Sequence, residues 1–208
     1  MSSTFRRIAA AALALPLALG LATSADAASK FSAKSSGTFA SAYWNDETTL
    51  GTGETVYTFG SVDAFGDRLV EAYGYVDVVT CPEGVIVWED EAGECDYTGG
   101  SFWAEPGAVT LDVAKKGTAA TLTGTVVLSN EAGETAVPLD VTFVGSGPSF
   151  RTTSSFTYRD SDGTRYAFRA TTTGRQAEVT GSIGDFDIVG DVDGSFGTYR
   201  QMEREVIR

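Results

Sequence analysis

Carboxylates are the only abundant reactive side chains in this chain. Histidine is absent altogether, which removes Ser-His-Asp and Cys-His catalysis and any His-ligated zinc, copper or iron site. Gly145-Ser146-Gly147 lacks the G-x-S-x-G spacing of a nucleophile elbow and reads better as a turn after Val144. Glycoside hydrolysis needs two carboxyl groups about 5–9.5 Å apart across a sugar. Glu71 and Asp77 share one face of a predicted strand, with Tyr73 and Tyr75 between them. That composition suits a sugar cleft, and it suits a solvated strand face equally well.

Two acidic clusters have the hard oxygen ligands that calcium prefers. One comprises Glu89, Asp90, Glu91, Glu94 and Asp96; the other comprises Asp185, Asp187, Asp191 and Asp193. The second departs from the EF-hand loop, because Gly194 comes too early and Met202 stands where a bidentate Glu is required. Solvated loops account for both clusters, so no cofactor is required and calcium is the one that the composition permits. Trp44, Trp88 and Trp103 all fall in the first half, beside Tyr43 and Phe102. Exposed together with Tyr73 and Tyr75, they would make a stacking platform for a glycan. Burial in a core is the competing fate.

The elements that must position these residues are strands. From Ala108 to Thr173 apolar and polar residues alternate in runs separated by short polar turns, the signature of an antiparallel sheet. Val109, Leu111 and Val113 share a face, as do Ala120, Leu122, Val126 and Leu128, and then Leu139, Val141 and Phe143. Phe156 and Tyr158 are expected to pair with Phe168 and Tyr166 across the Asp160–Gly163 turn. In the first half, Thr38–Trp44, Thr55–Val62, Arg68–Thr80 and Val85–Trp88 read as strands, with Gly74 marking a bulge or a close backbone approach. Thr198–Ile207 is a closing strand or a short helix, and Lys30–Gly37 a mobile lead-in. No amphipathic helix of useful length is evident. Eleven or twelve short strands predict an all-β fold, a two-layer antiparallel β-sandwich with a closed meander β-barrel as the alternative.

Met1–Ala27 reads as an export signal: Arg6 and Arg7, an apolar run from Ile8 to Leu21, and Ala25-Asp26-Ala27 as the cleavage site. Residues 28–208 then suit a single domain. No second long apolar run suggests a membrane anchor. The chain carries a formal charge of −13, and losing two arginines and one aspartate with the signal makes it −14. Such a charge argues against nucleic acid as a partner. Acidity concentrates between Ala28 and Glu105, where Lys30, Lys34 and Arg68 are the only cations. Cys81 and Cys95 are the only cysteines, and export favours pairing them as a structural disulfide.

Val141-Thr142-Phe143-Val144-Gly145-Ser146-Gly147-Pro148, the Arg/Thr/Ser-rich segment Arg151–Arg169, and Arg175-Gln176-Ala177-Glu178-Val179-Thr180-Gly181 follow one another in the second half. This succession resembles secreted proteins of unknown function from high-GC Gram-positive bacteria. The resemblance implies an exported β domain, and it supplies no activity, cofactor or catalytic residue.

These readings converge on a secreted or cell-surface domain with a non-catalytic binding role towards a glycan or a protein, through its acidic, aromatic first half. A small carbohydrate-active enzyme using Glu71 and Asp77 is one alternative. A secreted enzyme inhibitor presenting the Cys81–Cys95 loop is another.

Overall fold

The computed structural model describes residues 30–89, 93–161 and 163–206. The export-signal reading at 1–27 lies outside them, as do Asp90 and Glu91 of the first acidic cluster. Every strand belongs to one antiparallel sheet. In chain order these are β1 (Lys30–Thr49), β2 (Thr55–Gly66), β3 (Val70–Cys81), β4 (Asp96–Trp103) and β5 (Val109–Val113). They are followed by β6 (Ala119–Asn130), β7 (Gly133–Arg159), β8 (Arg165–Ile183), β9 (Phe186–Asp187) and β10 (Asp191–Val206). Among the described residues no helix is long and apolar enough to cross a membrane.

The antiparallel all-β expectation holds. The strand path runs β10-β1-β2-β3-β4-β6-β7-β8, and β10 pairs again with β8, so the hydrogen bonding closes on itself. Closure is the connectivity of a meander, and the interior is filled from facing walls. Leu122, Val126, Leu139, Val141, Phe143, Ile183, Val62, Val76 and Phe196 form one buried core. The inward sets expected on β6 and β7 are all buried there. A closed wall leaves few unpaired backbone groups, which removes most of the edge liability of a sheet.

Several expectations change for local reasons. Lys30–Gly37 is not a loose lead-in but the start of β1, because β10 offers a full ladder of partners from Lys30↔Val206 onwards. Residues 198–206 are likewise strand, held between β1 and β8. Gly145-Ser146-Gly147-Pro148 has turn chemistry, yet both flanks pair with β8, so the chain absorbs it as a register shift between Gly145 and Ser149. Val85–Trp88 is not a strand; a 3₁₀ turn at Val87–Glu89 replaces it. These merged segments leave ten strands in place of eleven or twelve.

Gly74 is a close approach rather than a bulge. It pairs in register with Val62 and Phe102, and a Cβ there would meet the Ser61 carbonyl and the Phe102 ring. Gly60 does the same for Trp44, whose six-membered ring occupies the space where a Cβ would stand.

Candidate functional site

Strand alternation sorts the aromatic residues of the first half onto two sides of the wall. Trp44 shares its side with Ala40 and Ala42 and is fully buried, with no hydrogen-bond partner for its indole N–H. Its place in a glycan platform is therefore corrected: even-numbered positions of β1 face the core. Phe102 is also buried there.

The other four candidates share the outer side. Register places Tyr73 of β3 between Asp63 of β2 and Trp103 of β4, and Tyr75 between Ser61 and Ser101. Such cross-strand neighbours lie about 5 Å apart at Cβ. Tyr73 is exposed and meets the Phe65 ring edge-on at 6.0 Å. Trp88 reaches this wall from the 3₁₀ turn, 5.1 Å from Phe59 and 6.5 Å from Tyr57, and remains 74% exposed. Tyr43 and Tyr97 are exposed further along the same wall. Sequence alone singled out Tyr43 but not Phe59, Phe65 or Tyr97; their alternation with buried Val62 and Ala64 on β2, and with Phe102 on β4, was the available signal.

The disulfide fixes one end of this wall. Cys81 and Cys95 are bonded, with Cα atoms 4.3 Å apart, and join the end of β3 to the approach to β4. Around the bond Tyr57, Val79 and Val87 form a small second core on the outer side of the sheet, with Phe59 packed against it. Val87 is what anchors the turn that presents Trp88.

The carboxylates of the wall act on its phenols. Burial first, then Asp63 and Glu71, raise the Tyr73 hydroxyl above its ordinary 10.0. Burial, then Tyr43 and Asp77, do the same for Tyr75. Both hydroxyls stay protonated at neutral pH, available as donors. Burial alone raises the Asp77 carboxyl above its ordinary 3.8.

Glu71 and Asp77 do not meet. They sit six residues apart on one straight strand, which at a rise of about 3.3 Å per residue separates them by about 20 Å, twice the widest glycosidase spacing. The four aspartates proposed for calcium are all exposed. Among the described residues no group of three or more His, Cys, Asp or Glu could hold a metal ion. Asp185, Asp187, Asp191 and Asp193 are thus not brought together as a cation site. In the Cys81–Cys95 loop Val87 packs inward, while its neighbours Ile86 and Trp88 are exposed.

A comparison with protein-family models, with curated proteins and with solved structures found no match for this chain.

Proposed function

We propose that this protein is an exported, non-catalytic binding domain that recognises a glycan through the outer wall of β1–β4. The observation that carries this reading is the placement of Tyr73, Tyr75, Trp88 and Trp103 on one outer surface, interleaved with Asp63, Glu71 and Asp77. Flat rings present apolar faces for sugar C–H groups, while neighbouring carboxylates and phenols bond sugar hydroxyls. The disulfide supports an oxidising compartment. The wall carries carboxylates, so neutral or amino-sugar polymers suit it better than acidic ones.

Titration with soluble neutral glycans and with a cationic amino-sugar polymer, followed by tryptophan emission, tests the proposal. Trp88 is the exposed reporter and Trp44 the buried internal reference. Binding that survives, by calorimetric titration, in a variant carrying both Trp88→Ala and Trp103→Ala would reject this wall as the site. Binding to none of the polymers would reject glycan recognition there.

A further inference from the structure

Four strands run well past the core. The last fully buried side chains on this side, Ala40 of β1, Phe143 of β7 and Phe196 of β10, mark the limit of the core. Beyond it β1 continues to Lys30, β10 to Val206, β7 to Arg159 and β8 starts at Arg165, all hydrogen-bonded in the order β7-β8-β10-β1. From Ser149 to Arg159 this extension is eleven residues long, about 35 Å of strand.

Alternation gives the extension two unlike faces. Its outer face carries Phe156 stacked on Phe168 at 5.1 Å and Tyr158 stacked on Tyr166 at 6.0 Å, together with Glu203 and Glu205. The face that continues the interior of the closed sheet is the other one. In β7 it reads Ser149, Arg151, Thr153, Ser155, Thr157, Arg159; the facing positions of β8 from Arg165, of β10 to Arg204 and of β1 from Ser32 are again Arg, Thr, Ser or Lys, with Ala167 and Met202 the apolar exceptions. No position on this face between those limits is Asp or Glu, although the whole chain is charged −13.

The register also spaces the cations. Moving outward from Phe196 two residues at a time, successive layers contain Arg151, then Arg200, then Arg169 with Lys34, then Arg204, then Arg159 beside Arg165. Each layer is about 6.6 Å beyond the last. Lys34, Arg151, Arg169 and Arg200 line a single cavity of about 550 Å³ with Thr171 and Thr173. Among the described residues none of these four cations forms an ion pair. Asp67 and Glu71 approach this cluster only on the Lys34 side, so holding the three arginines together costs electrostatic energy, which a bound anion would relieve.

We infer that this basic trough is a second binding site, independent of the aromatic wall, and that it takes a linear oxyanionic polymer other than a nucleic acid, with a carboxylate or phosphate group in each repeat unit. Arginine forks bond either oxyanion in a bidentate manner, and the intervening Thr and Ser hydroxyls suit a polyhydroxylated backbone. Nucleic acid fits less well, because Tyr199 is the single aromatic side chain among the residues lining the cavity, and successive bases need a series of rings on which to stack. A bilayer fits less well too, since cations and aromatics lie on opposite faces of a thin sheet.

The test is binding of the full mature chain to three probes at about 20 mM and 200 mM salt: polygalacturonate, long-chain polyphosphate and single-stranded DNA. Binding to either of the first two, weakening steeply with salt, is the expected result; which of them binds more tightly tells carboxylate from phosphate polymers. Arg151→Gln with Arg200→Gln should weaken binding about tenfold or more and make the salt slope shallower by about 2. Arg169→Gln with Lys34→Gln is an independent pair that should do the same. Lys115→Gln with Lys116→Gln, the same charge change in the β5–β6 turn, should leave binding intact. Far-ultraviolet circular dichroism and melting midpoints establish that each variant is folded. The inference is overturned if no probe binds at low salt, if DNA alone binds, or if both trough pairs bind like the lysine control. Salt-sensitive self-association lost in the trough variants, without polymer binding, would overturn it in favour of a second copy of this chain.

Discussion

Removing the Cys81–Cys95 bond should cost about 3 kcal/mol of stability, most of it acting through the unfolded chain. The two residues are 14 apart, so the bond closes a loop of about 15 residues. The loop-closure entropy for that length is worth about 3 kcal/mol at 25 °C. Both sulfurs are buried, so the perturbation of choice is Cys81→Ala with Cys95→Ala, which leaves no buried hydroxyl unpaired. For a chain of this size a loss of about 3 kcal/mol lowers the melting midpoint by about 6–12 °C. Urea unfolding should show a lower midpoint together with a larger m, because an uncrosslinked unfolded chain exposes more surface. The bond also holds the turn that packs Val87 beneath Trp88. Emission from Trp88 should therefore shift in the variant below the global transition. Coincident urea curves for the two proteins would refute the entropic reasoning. A loss matched in full by Val87→Ala alone would assign it to the small second core instead of the crosslink.

Gly60→Ala drives a methyl group into the Trp44 ring and should cost about 1–3 kcal/mol, read from urea midpoints. Gly197→Ala tests the seam that closes the sheet: a Cβ there meets the Thr173 carbonyl on β8, so a similar loss is expected, with faster amide exchange along β8 and β10. Burial raises the Asp77 pKa, so its protonated form favours folding; that contribution is complete below the unfolded value of 3.8 and is lost as pH rises through the higher folded value. Asp77→Asn should accordingly raise the melting midpoint at about pH 7 and leave it unchanged at about pH 3. Thr153→Val with Thr171→Val should cost little, since the hydroxyl pair they remove, 3.3 Å apart, is exposed.

The sequence by itself determined the strands and their sidedness. Val109-x-Leu111, Ala120-x-Leu122, Leu139-x-Val141-x-Phe143 and Ala177-x-Val179 each carry a period of two, and every one of these residues is buried. The disulfide was legible because an exported chain with two cysteines has one way to pair them. Absent histidine excluded whole classes of chemistry without any coordinates. Trp44 could not be separated from Trp88 by residue type, because sidedness depends on which parity of β1 faces the core. Turn chemistry misled at Gly145–Pro148, where pairing on both flanks with β8 outweighed the local preference for a bend.

Only the tertiary structure decided what lies beside what. Closure rests on β10 pairing with both β1 and β8, contacts between residues 146–176 apart in sequence at one seam and 17–41 at the other. The same closure reverses the reading of charge. Along the chain the arginines of the second half look balanced by nearby carboxylates, and the acidic first half looks like the functional side. Folded, alternation sends Arg151, Arg169 and Arg200 to one face and Glu203 and Glu205 to the other, while Lys34 arrives from the far end of the sequence. Which residues share a face along one strand is local and can be read from spacing. Which strands share a face is set by long-range register, and no local pattern encodes it.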